Sequence, residues 1–383
     1  MNTLCRSAIF FCATIALIAQ HSVASDDDAV AQYSERAIEL LRDAISRETA
    51  YGQGLVPAYA ESLRQVFLEA GFSPEALTIV PYGETASLVV RYEGDGSSGR
   101  KPILFSSHMD VVPADPESWL RHPFELQEDD VFFYGRGVLD NKFDVTILTT
   151  LFVWLKESGF VPNRDLVIAF TGDEESFQET VQQLTGDYRD LVDAEYALVV
   201  DGGGGVLNDA GEAIALLRAQ PEYVGTLGTT CIPTMLSGGH AENALPRAVT
   251  ATVNCRIFPG HTPADIMREL QRVADDPALE WAVVGVPVAS PASSFNPEIM
   301  TAIEQSLAPI HPNLPIVPEM GSGTTDGAYW RAAGIPSYSF TGIFINPKDS
   351  FAHGLNERVP KTAVGESLRF WRSMIDELAS SHD

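Results

Sequence analysis

The chain has little positive charge and little cysteine, and after its first 24 residues it has no stretch apolar enough to cross a membrane. Of its 383 residues, 25 are Lys or Arg and 52 are Asp or Glu, so the net charge is −27. Because few cations are available to neutralise phosphates, we expect neither nucleic acid nor an anionic membrane as a partner. The 45% hydrophobic content argues against disorder, and the length allows two domains or one domain with an insertion.

The first 24 residues have the pattern of a secretory signal. Arg6 is the positive start, residues 8–19 are a short apolar run, and residues 22–24 are a small-residue cleavage site. The apolar run is too short to span a bilayer comfortably, and an uncleaved anchor is the alternative. We therefore expect a mature protein that is soluble and secreted or periplasmic.

Two of the four cysteines lie in this signal, which leaves Cys231 and Cys255. They flank a predicted β-hairpin with strands at 229–236 and 248–258. A pairing centred near residue 243 would place them opposite each other, and an oxidising compartment allows a disulfide. We predict a cross-strand disulfide, with two buried free thiols as the alternative. Neither cysteine lies in a C-x-x-C motif, so thiol catalysis is not expected.

Helical and extended patterns alternate along most of the remaining chain. Apolar spacing predicts the helices, and continuous apolar runs indicate strands that are buried on both faces of a parallel sheet. The predicted helices are 30–45, 57–70, 142–158, 297–307 and 361–378, and the predicted strands are 87–93, 102–107, 166–171, 196–201 and 337–341. This alternation predicts an α/β fold with a doubly wound, mostly parallel sheet.

Residues 213–290 differ from the rest of the chain. The predicted hairpin has alternating strands, and a helix with a polar face follows at 263–275. We interpret this region as a small inserted α+β lid domain. The predicted organisation is a signal at 1–24, a catalytic domain formed by 25–212 and 291–383, and the lid at 213–290.

Acidic and imidazole side chains follow the three buried strands. His108 and Asp110 follow the first, Glu174 and Glu175 follow the second, and Asp201 ends the third. Because the carboxyl ends of parallel strands form a ligand crevice, we expect these side chains at one edge of the sheet. Adjacent carboxylates repel each other unless a cation or a proton lies between them. The cluster therefore favours a metal site.

Two further candidates, Asp140 and His353, lie on loops. Taken singly, several of the candidates could have an ordinary structural role. Asp140 could be a helix N-cap, Asp201 could open a glycine turn, and His108 could be a core histidine. The joint occurrence of these residues is what favours metal binding.

The candidate donors suit zinc, with cobalt or manganese as substitutes. They outnumber the ligands of one tetrahedral ion, so we expect two ions about 3.5–4 Å apart that share a carboxylate. Such a pair lowers the pKa of a bridging water and polarises a carbonyl, while another carboxylate takes the proton. This chemistry predicts hydrolysis of an amide or ester. A serine hydrolase is not expected, because no Gly-x-Ser-x-Gly elbow is present.

The residues named above resemble the motifs of the M20 family of dinuclear zinc peptidases and amidohydrolases. That family includes carboxypeptidase G2-like enzymes, succinyl-diaminopimelate desuccinylase, acetylornithine deacetylase and aminoacylases. The matching motifs follow the family's order and lie at 107–113, 134–142, 172–175, 201–203 and 353–357. The resemblance implies that His108 and Asp201 bind one zinc ion, Glu175 and His353 bind the other, and Asp140 bridges both.

The resemblance also implies roles for residues that bind no metal. Glu174 would be the general base and later the proton donor, a distinction between the two glutamates that residue chemistry alone leaves open. Asp110 would hydrogen-bond the His108 ring and fix its orientation. Asn243 and Arg256 would contact the substrate, with a surface salt bridge as the alternative for Arg256.

The chain departs from the family after the motif at 201–203. The segment at 204–254 is shorter than in usual members and lacks a Gly-His-Ser-type segment, whose histidine helps to hold the tetrahedral oxyanion. His240 aligns with the hairpin turn instead. Losing one oxyanion donor costs about 10²–10³-fold in turnover. The missing part usually builds the dimer interface, so the family pattern allows a homodimer and the short segment argues against one.

We therefore expect an exported zinc-dependent hydrolase of a small peptide or N-acyl amino acid: an exopeptidase or carboxypeptidase, a dipeptidase, or an N-acyl-amino-acid hydrolase. The alternative is a catalytically weak or silent homologue that binds metal or peptide and has lost part of the lid.

Overall fold

A computed structural model of the chain describes residues 26–201, 224–316, 321 and 323–380. The helices are α1 Asp26–Ile45, α2 Val56–Glu69, α3 Lys142–Glu157, α4 Glu179–Thr185, α5 Arg189–Val192, α6 Val224–Leu227, α7 Pro263–Ala274, α8 Pro297–Leu307, α9 Gly327–Ala332 and α10 Ala363–Ala379. The strands are β1 Leu77–Tyr82, β2 Thr85–Tyr92, β3 Ile103–His108, β4 Gln127–Glu128, β5 Phe132–Tyr134, β6 Leu166–Thr171, β7 Tyr196–Val199, β8 Thr230–Gly238, β9 Val249–Arg256, β10 Ser337–Ser339 and β11 Arg358–Pro360.

A six-stranded sheet with the order β1-β2-β6-β3-β7-β10 forms the centre of the fold. Strands β6, β3, β7 and β10 pair in parallel. Strand β2 is antiparallel to both β1 and β6, so β1 runs in the same direction as β6. The predicted α/β class with a mostly parallel sheet is confirmed.

Helices cover both faces of this sheet. Successive side chains of a strand point to opposite faces, so Ile103 and Phe105 of β3 lie in one hydrophobic core and Leu104 lies in another. The first core also contains residues of α1, α2, α3, α8 and α10, and the second contains residues of α4 and α9. Every residue of β3 and β6 is buried, as the continuous apolar runs predict. The sheet is therefore doubly wound.

Strand β1 was not predicted from the sequence. It pairs with β2 through a two-residue connection, Gly83-Glu84, in which Gly83 has a φ of 53°. Glycine at the first position of such a connection is typical of tight β-hairpins. This hairpin extends the sheet beyond the strands that the apolar runs indicate.

Strands β8 and β9 form the predicted hairpin, and α7 follows it as predicted. Cys231 pairs with Cys255 in the register, and the two form a disulfide with a Cα–Cα distance of 4.1 Å. The disulfide prediction is confirmed. The boundaries of the lid at 213 and 290 stay predictions, and residue 213 lies outside the described part of the chain.

The predicted signal at 1–24 also lies outside the described residues. Within the described ranges, no helix combines the length and the apolar character that crossing a membrane requires.

Candidate metal centre

Three neighbouring strands deliver candidate ligands to one edge of the sheet. His108 is the last residue of β3, Asp201 lies just beyond β7, and the Glu174-Glu175 pair follows β6. Strands β6, β3 and β7 are parallel neighbours, so their carboxyl ends meet at that edge. The structure therefore brings together side chains that are far apart in the sequence, as expected from the positions of the strands.

The two oxygens of Asp140 face two different histidines. Its Oδ1 lies 3.0 Å from Nε2 of His108, and its Oδ2 lies 3.1 Å from Nε2 of His353. Nε2 of His108 also lies 3.8 Å from Oδ1 of Asp201, and Nε2 of His353 lies 2.9 Å from Oε1 of Glu175. A carboxylate that faces two imidazoles through separate oxygens is placed to bridge two cations.

These five residues form two groups that could each hold an ion. One group is His108, Asp140 and Asp201, the other is Asp140, Glu175 and His353, and the donor atoms within a group lie within 4.8 Å of one another. Imidazole nitrogens combined with carboxylate oxygens are a donor set that zinc accepts. The residues present therefore fit a dinuclear centre with Asp140 as the shared ligand.

Neighbouring carboxylates favour the protonated form of both histidines. Burial by itself lowers the pKa of His108, but hydrogen bonds with Asp110 and Asp140 outweigh it and raise that pKa well above its usual range. Hydrogen bonds with Asp140 and Glu175 raise the pKa of His353 to about 10. The two imidazolium partners in turn outweigh burial and lower the pKa of Asp140. The cluster of acids thus requires positive charge, which divalent cations supply equally well.

Glu174 lies beside both groups but belongs to neither. Burial is the main cause that raises the pKa of its carboxyl to about 9. One carboxylate oxygen accepts a hydrogen bond of 2.9 Å from Nε2 of Gln178. Glu175, in contrast, contacts His353 directly. The geometry therefore distinguishes two adjacent glutamates that have the same chemistry.

Asp110 connects the His108 ring to the loop that carries these glutamates. Its carboxylate accepts hydrogen bonds from the backbone N–H groups of Glu174 at 3.1 Å and Glu175 at 3.0 Å. Nδ1 of His108 lies 3.1 Å from the backbone oxygen of Asp110 and 3.3 Å from its Oδ1. Asp110 therefore lies against the His108 ring, and it also fixes the loop after β6.

Asp140 is not the N-cap of a helix, which was the structural alternative for this residue. The N-cap residue of α3 is Asn141, whose amide side chain makes no cap hydrogen bond. Asn141 instead accepts a hydrogen bond of 3.1 Å from the backbone N–H of His108 and donates one of 2.9 Å to the backbone oxygen of Val200. A cis peptide bond joins Asp140 to Asn141. Asn141 therefore ties the residue next to Asp140 to the ends of β3 and β7.

Three further buried side chains near the centre make contacts that the sequence did not predict. Asp326 accepts a short hydrogen bond from the Thr171 hydroxyl at the end of β6. Asn141 and Glu357 lie inside motifs that were recognised, but both also make hydrogen bonds to backbone groups, which the motifs do not show. The positions of Asn141 and Glu357 within those motifs are the only sequence signal that could have identified these two residues.

The two predicted substrate contacts lie on the hairpin. Arg256 is the last residue of β9, and its side chain lies beside Gly323. A guanidinium nitrogen is 3.9 Å from the position that a Cβ atom would occupy on that glycine. Asn243 lies in the exposed connection between β8 and β9. The structure thus brings Arg256 close to Gly323, three residues before Asp326. Among the described contacts, none joins Asn243 to the metal ligands.

The chain matches the family model described as Peptidase family M20/M25/M40 over residues 104–377. It is 22% identical over 370 residues to N-fatty-acyl-amino acid synthase/hydrolase PM20D1 of Xenopus tropicalis, a match that covers 72% of each protein. It is 23% identical over 305 residues to succinyl-diaminopimelate desuccinylase of Coxiella burnetii, which covers 67% of this chain and 79% of that protein.

Solved structures have the same fold. The M20 family metallo-carboxypeptidase Sso-CP2 from Sulfolobus solfataricus has a TM-score of 0.72 at 14% identity, covering 88% of this chain and 98% of its own. The Bacillus subtilis protein YXEP, a dinuclear metal-binding peptidase, has a TM-score of 0.63 at 13% identity, covering 90% of this chain and 98% of its own.

Proposed function

The chain belongs to peptidase family M20/M25/M40, and on that premise we propose that it is an exported hydrolase that uses two zinc ions to cleave a small peptide or an N-acyl amino acid. The family membership supports hydrolysis of a peptide or amide bond. The single observation that carries the dinuclear proposal is the position of Asp140, whose two oxygens lie 3.0 and 3.1 Å from separate histidines.

We assign the metal ligands from this geometry. His108 and Asp201 would hold one ion, Glu175 and His353 would hold the other, and Asp140 would be shared. When bound, the ions supply Lewis-acid chemistry that polarises the scissile carbonyl and makes water acidic enough to react near neutral pH. Cobalt or manganese would substitute, since they accept the same nitrogen and oxygen donors.

The remaining chemistry belongs to the protein side chains. The Glu174 carboxylate takes the proton from the attacking water and returns it to the departing amine. Gln178 holds one oxygen of that carboxylate, and Asp110 holds the backbone of the same loop. Arg256 would bind the carboxylate of the substrate, because a guanidinium forms paired hydrogen bonds with that group.

We propose a cleaved signal and an exported location from the sequence of residues 1–24 and from the disulfide, which oxidising compartments favour. N-terminal sequencing of the mature protein tests this directly. A first residue of Ser25 is expected, and an intact Met1 on the exported protein would contradict cleavage.

A weak or silent homologue is the second candidate, favoured by the short segment between Asp201 and β9. The two candidates differ in turnover and not in metal binding. A panel of dipeptides and N-acyl amino acids should be tested with zinc, cobalt and manganese, and the metal content of the same samples should be measured. Turnover with two ions supports the hydrolase, two ions without turnover support the silent homologue, and absence of metal contradicts both.

A further inference from the structure

The carboxylate of Glu357 is completely buried between the two chain segments that carry Asp140 and His353. It accepts hydrogen bonds from the backbone N–H groups of Gly137 at 3.2 Å, Leu139 at 2.7 Å and Asp140 at 3.0 Å. The turn that ends at Asp140 therefore wraps around this one carboxylate.

Arg136 lies on the segment that carries Asp140 and contacts the segment that carries His353. Its Nη1 donates a hydrogen bond of 2.5 Å to Glu357, and its Nη2 lies 3.2 Å from the backbone oxygen of Gly354 and 3.4 Å from that of His353. The guanidinium also lies over the Trp119 ring, 5.1 Å from its centre. Since both charged side chains are buried, the ion pair fixes the two segments relative to each other.

The two groups of metal ligands are supported in different ways. His108 ends β3 and Asp201 follows β7, so the first group lies on paired strands of the central sheet. His353 lies on a loop, has a φ of 61° and a side chain that is 53% exposed. This loop is also held by Asn356, which accepts a hydrogen bond of 2.9 Å from the backbone N–H of Leu120. It continues into β11, which pairs with β5 just before Arg136.

Asp140 keeps a second attachment that does not depend on Glu357. The adjacent Asn141 bonds to the backbone of His108 and Val200. Without the ion pair, the β5–β11 pairing and the hydrogen bond of 3.2 Å from the backbone N–H of Gly135 to the backbone oxygen of Glu357 still join the two segments. Loss of the pair would therefore keep Asp140 attached on the His108 side and loosen its attachment on the His353 side.

From this asymmetry we infer that the Arg136–Glu357 ion pair is a positioning element for the metal position formed by Asp140, Glu175 and His353. Removing the pair weakens that position and leaves the His108 position occupied. The inference rests on the proposed function only for the assumption that the centre binds two ions. Outer partners of metal ligands typically contribute about 10–100-fold to metal affinity, so we expect a change of that size at one position.

The test uses Glu357→Gln and Arg136→Lys in the full-length protein. Glu195→Gln is the matched control, because Glu195 pairs with the buried Arg164 and precedes β7, at the opposite edge of the sheet. Each protein is stripped of metal, titrated with zinc and followed by calorimetry, and bound zinc is counted after dialysis. Circular dichroism of the same samples reports folding.

We expect the wild type and the control to bind two ions, and each variant to bind one ion normally and the second about 10–100-fold more weakly. The inference is overturned if the folded variants bind both ions like the wild type or lose both together. It is also overturned if both variants unfold, because the pair would then be part of the core. A wild type that binds one ion or none contradicts the proposed dinuclear function instead, so the two failures are distinguishable.

Discussion

Replacing Glu174 by glutamine should remove turnover and leave the metal centre intact. Glu174 belongs to neither group of ligand atoms, so the variant keeps all five candidate ligands. Glutamine has almost the same shape, and its amide oxygen can still accept the hydrogen bond from Gln178 that Glu174 accepts at 2.9 Å. The substitution therefore removes the proton acceptor with little change in packing.

The expected size of the effect follows from the role of the carboxylate. A positioned general base contributes about 10²–10⁴-fold to a rate. This corresponds to about 2.7–5.4 kcal/mol of activation free energy. Because the proposed proton transfers in both directions depend on Glu174, we expect a loss toward the upper end of this range, with the KM of a cleaved substrate little changed.

The assay compares initial rates of zinc-loaded wild type and variant on a substrate identified in the panel, with zinc counted in the same samples. Glu179→Gln is the control. Glu179 is exposed and is the first residue of α4, which follows the loop that carries Glu174. This variant should keep wild-type turnover. If Glu174→Gln keeps more than about a tenth of the turnover with both ions bound, the base lies elsewhere. If it loses an ion, Glu174 is a ligand.

Three further predictions concern protons and thiols. Burial raises the pKa of Glu174 from 4.5 to about 9, so the folded metal-free protein holds this proton more tightly than the unfolded chain and loses stability as the pH rises through that window. Urea unfolding at pH 5, 6.5 and 8 should show the wild type losing stability relative to Glu174→Gln by at most about 1.4 kcal/mol per pH unit, and a flat difference would refute this. The raised pKa values of His108 and His353 mean that zinc must displace protons, so calorimetry in two buffers of different ionisation enthalpy should show proton release and an affinity that increases with pH. Protein without residues 1–24, unfolded but not reduced, should show no free thiol, and two thiols would contradict the Cys231–Cys255 disulfide.

Continuous apolar runs made the centre of the fold predictable. Strands β3, β6 and β7 are buried on both faces, so their sequences contain almost no charged residue before the candidate ligands. Strand β1 gave a weaker signal, because its burial is partial and it contains Pro81. Its place in the sheet depends on the pairing with β2, which a single strand's pattern does not reveal.

The candidate ligands were predictable because imidazole and carboxylate groups that crowd together at the ends of buried strands are unfavourable without a cation or a proton between them. The residues that position these ligands could not be predicted in the same way. Glu357 and Asn141 act through hydrogen bonds to backbone groups of distant segments, and any backbone N–H can donate such a bond regardless of its side chain. The separation of Glu174 from Glu175 likewise depends on which side chain reaches His353, and adjacent positions in the sequence cannot show this.

A crystal structure of the zinc-loaded protein, with anomalous scattering measured at the zinc edge, tests the dinuclear centre most directly. We predict two anomalous peaks beside Asp140, one contacting His108 and Asp201 and the other contacting Glu175 and His353. A single peak, or peaks that do not share Asp140, would contradict the proposed centre.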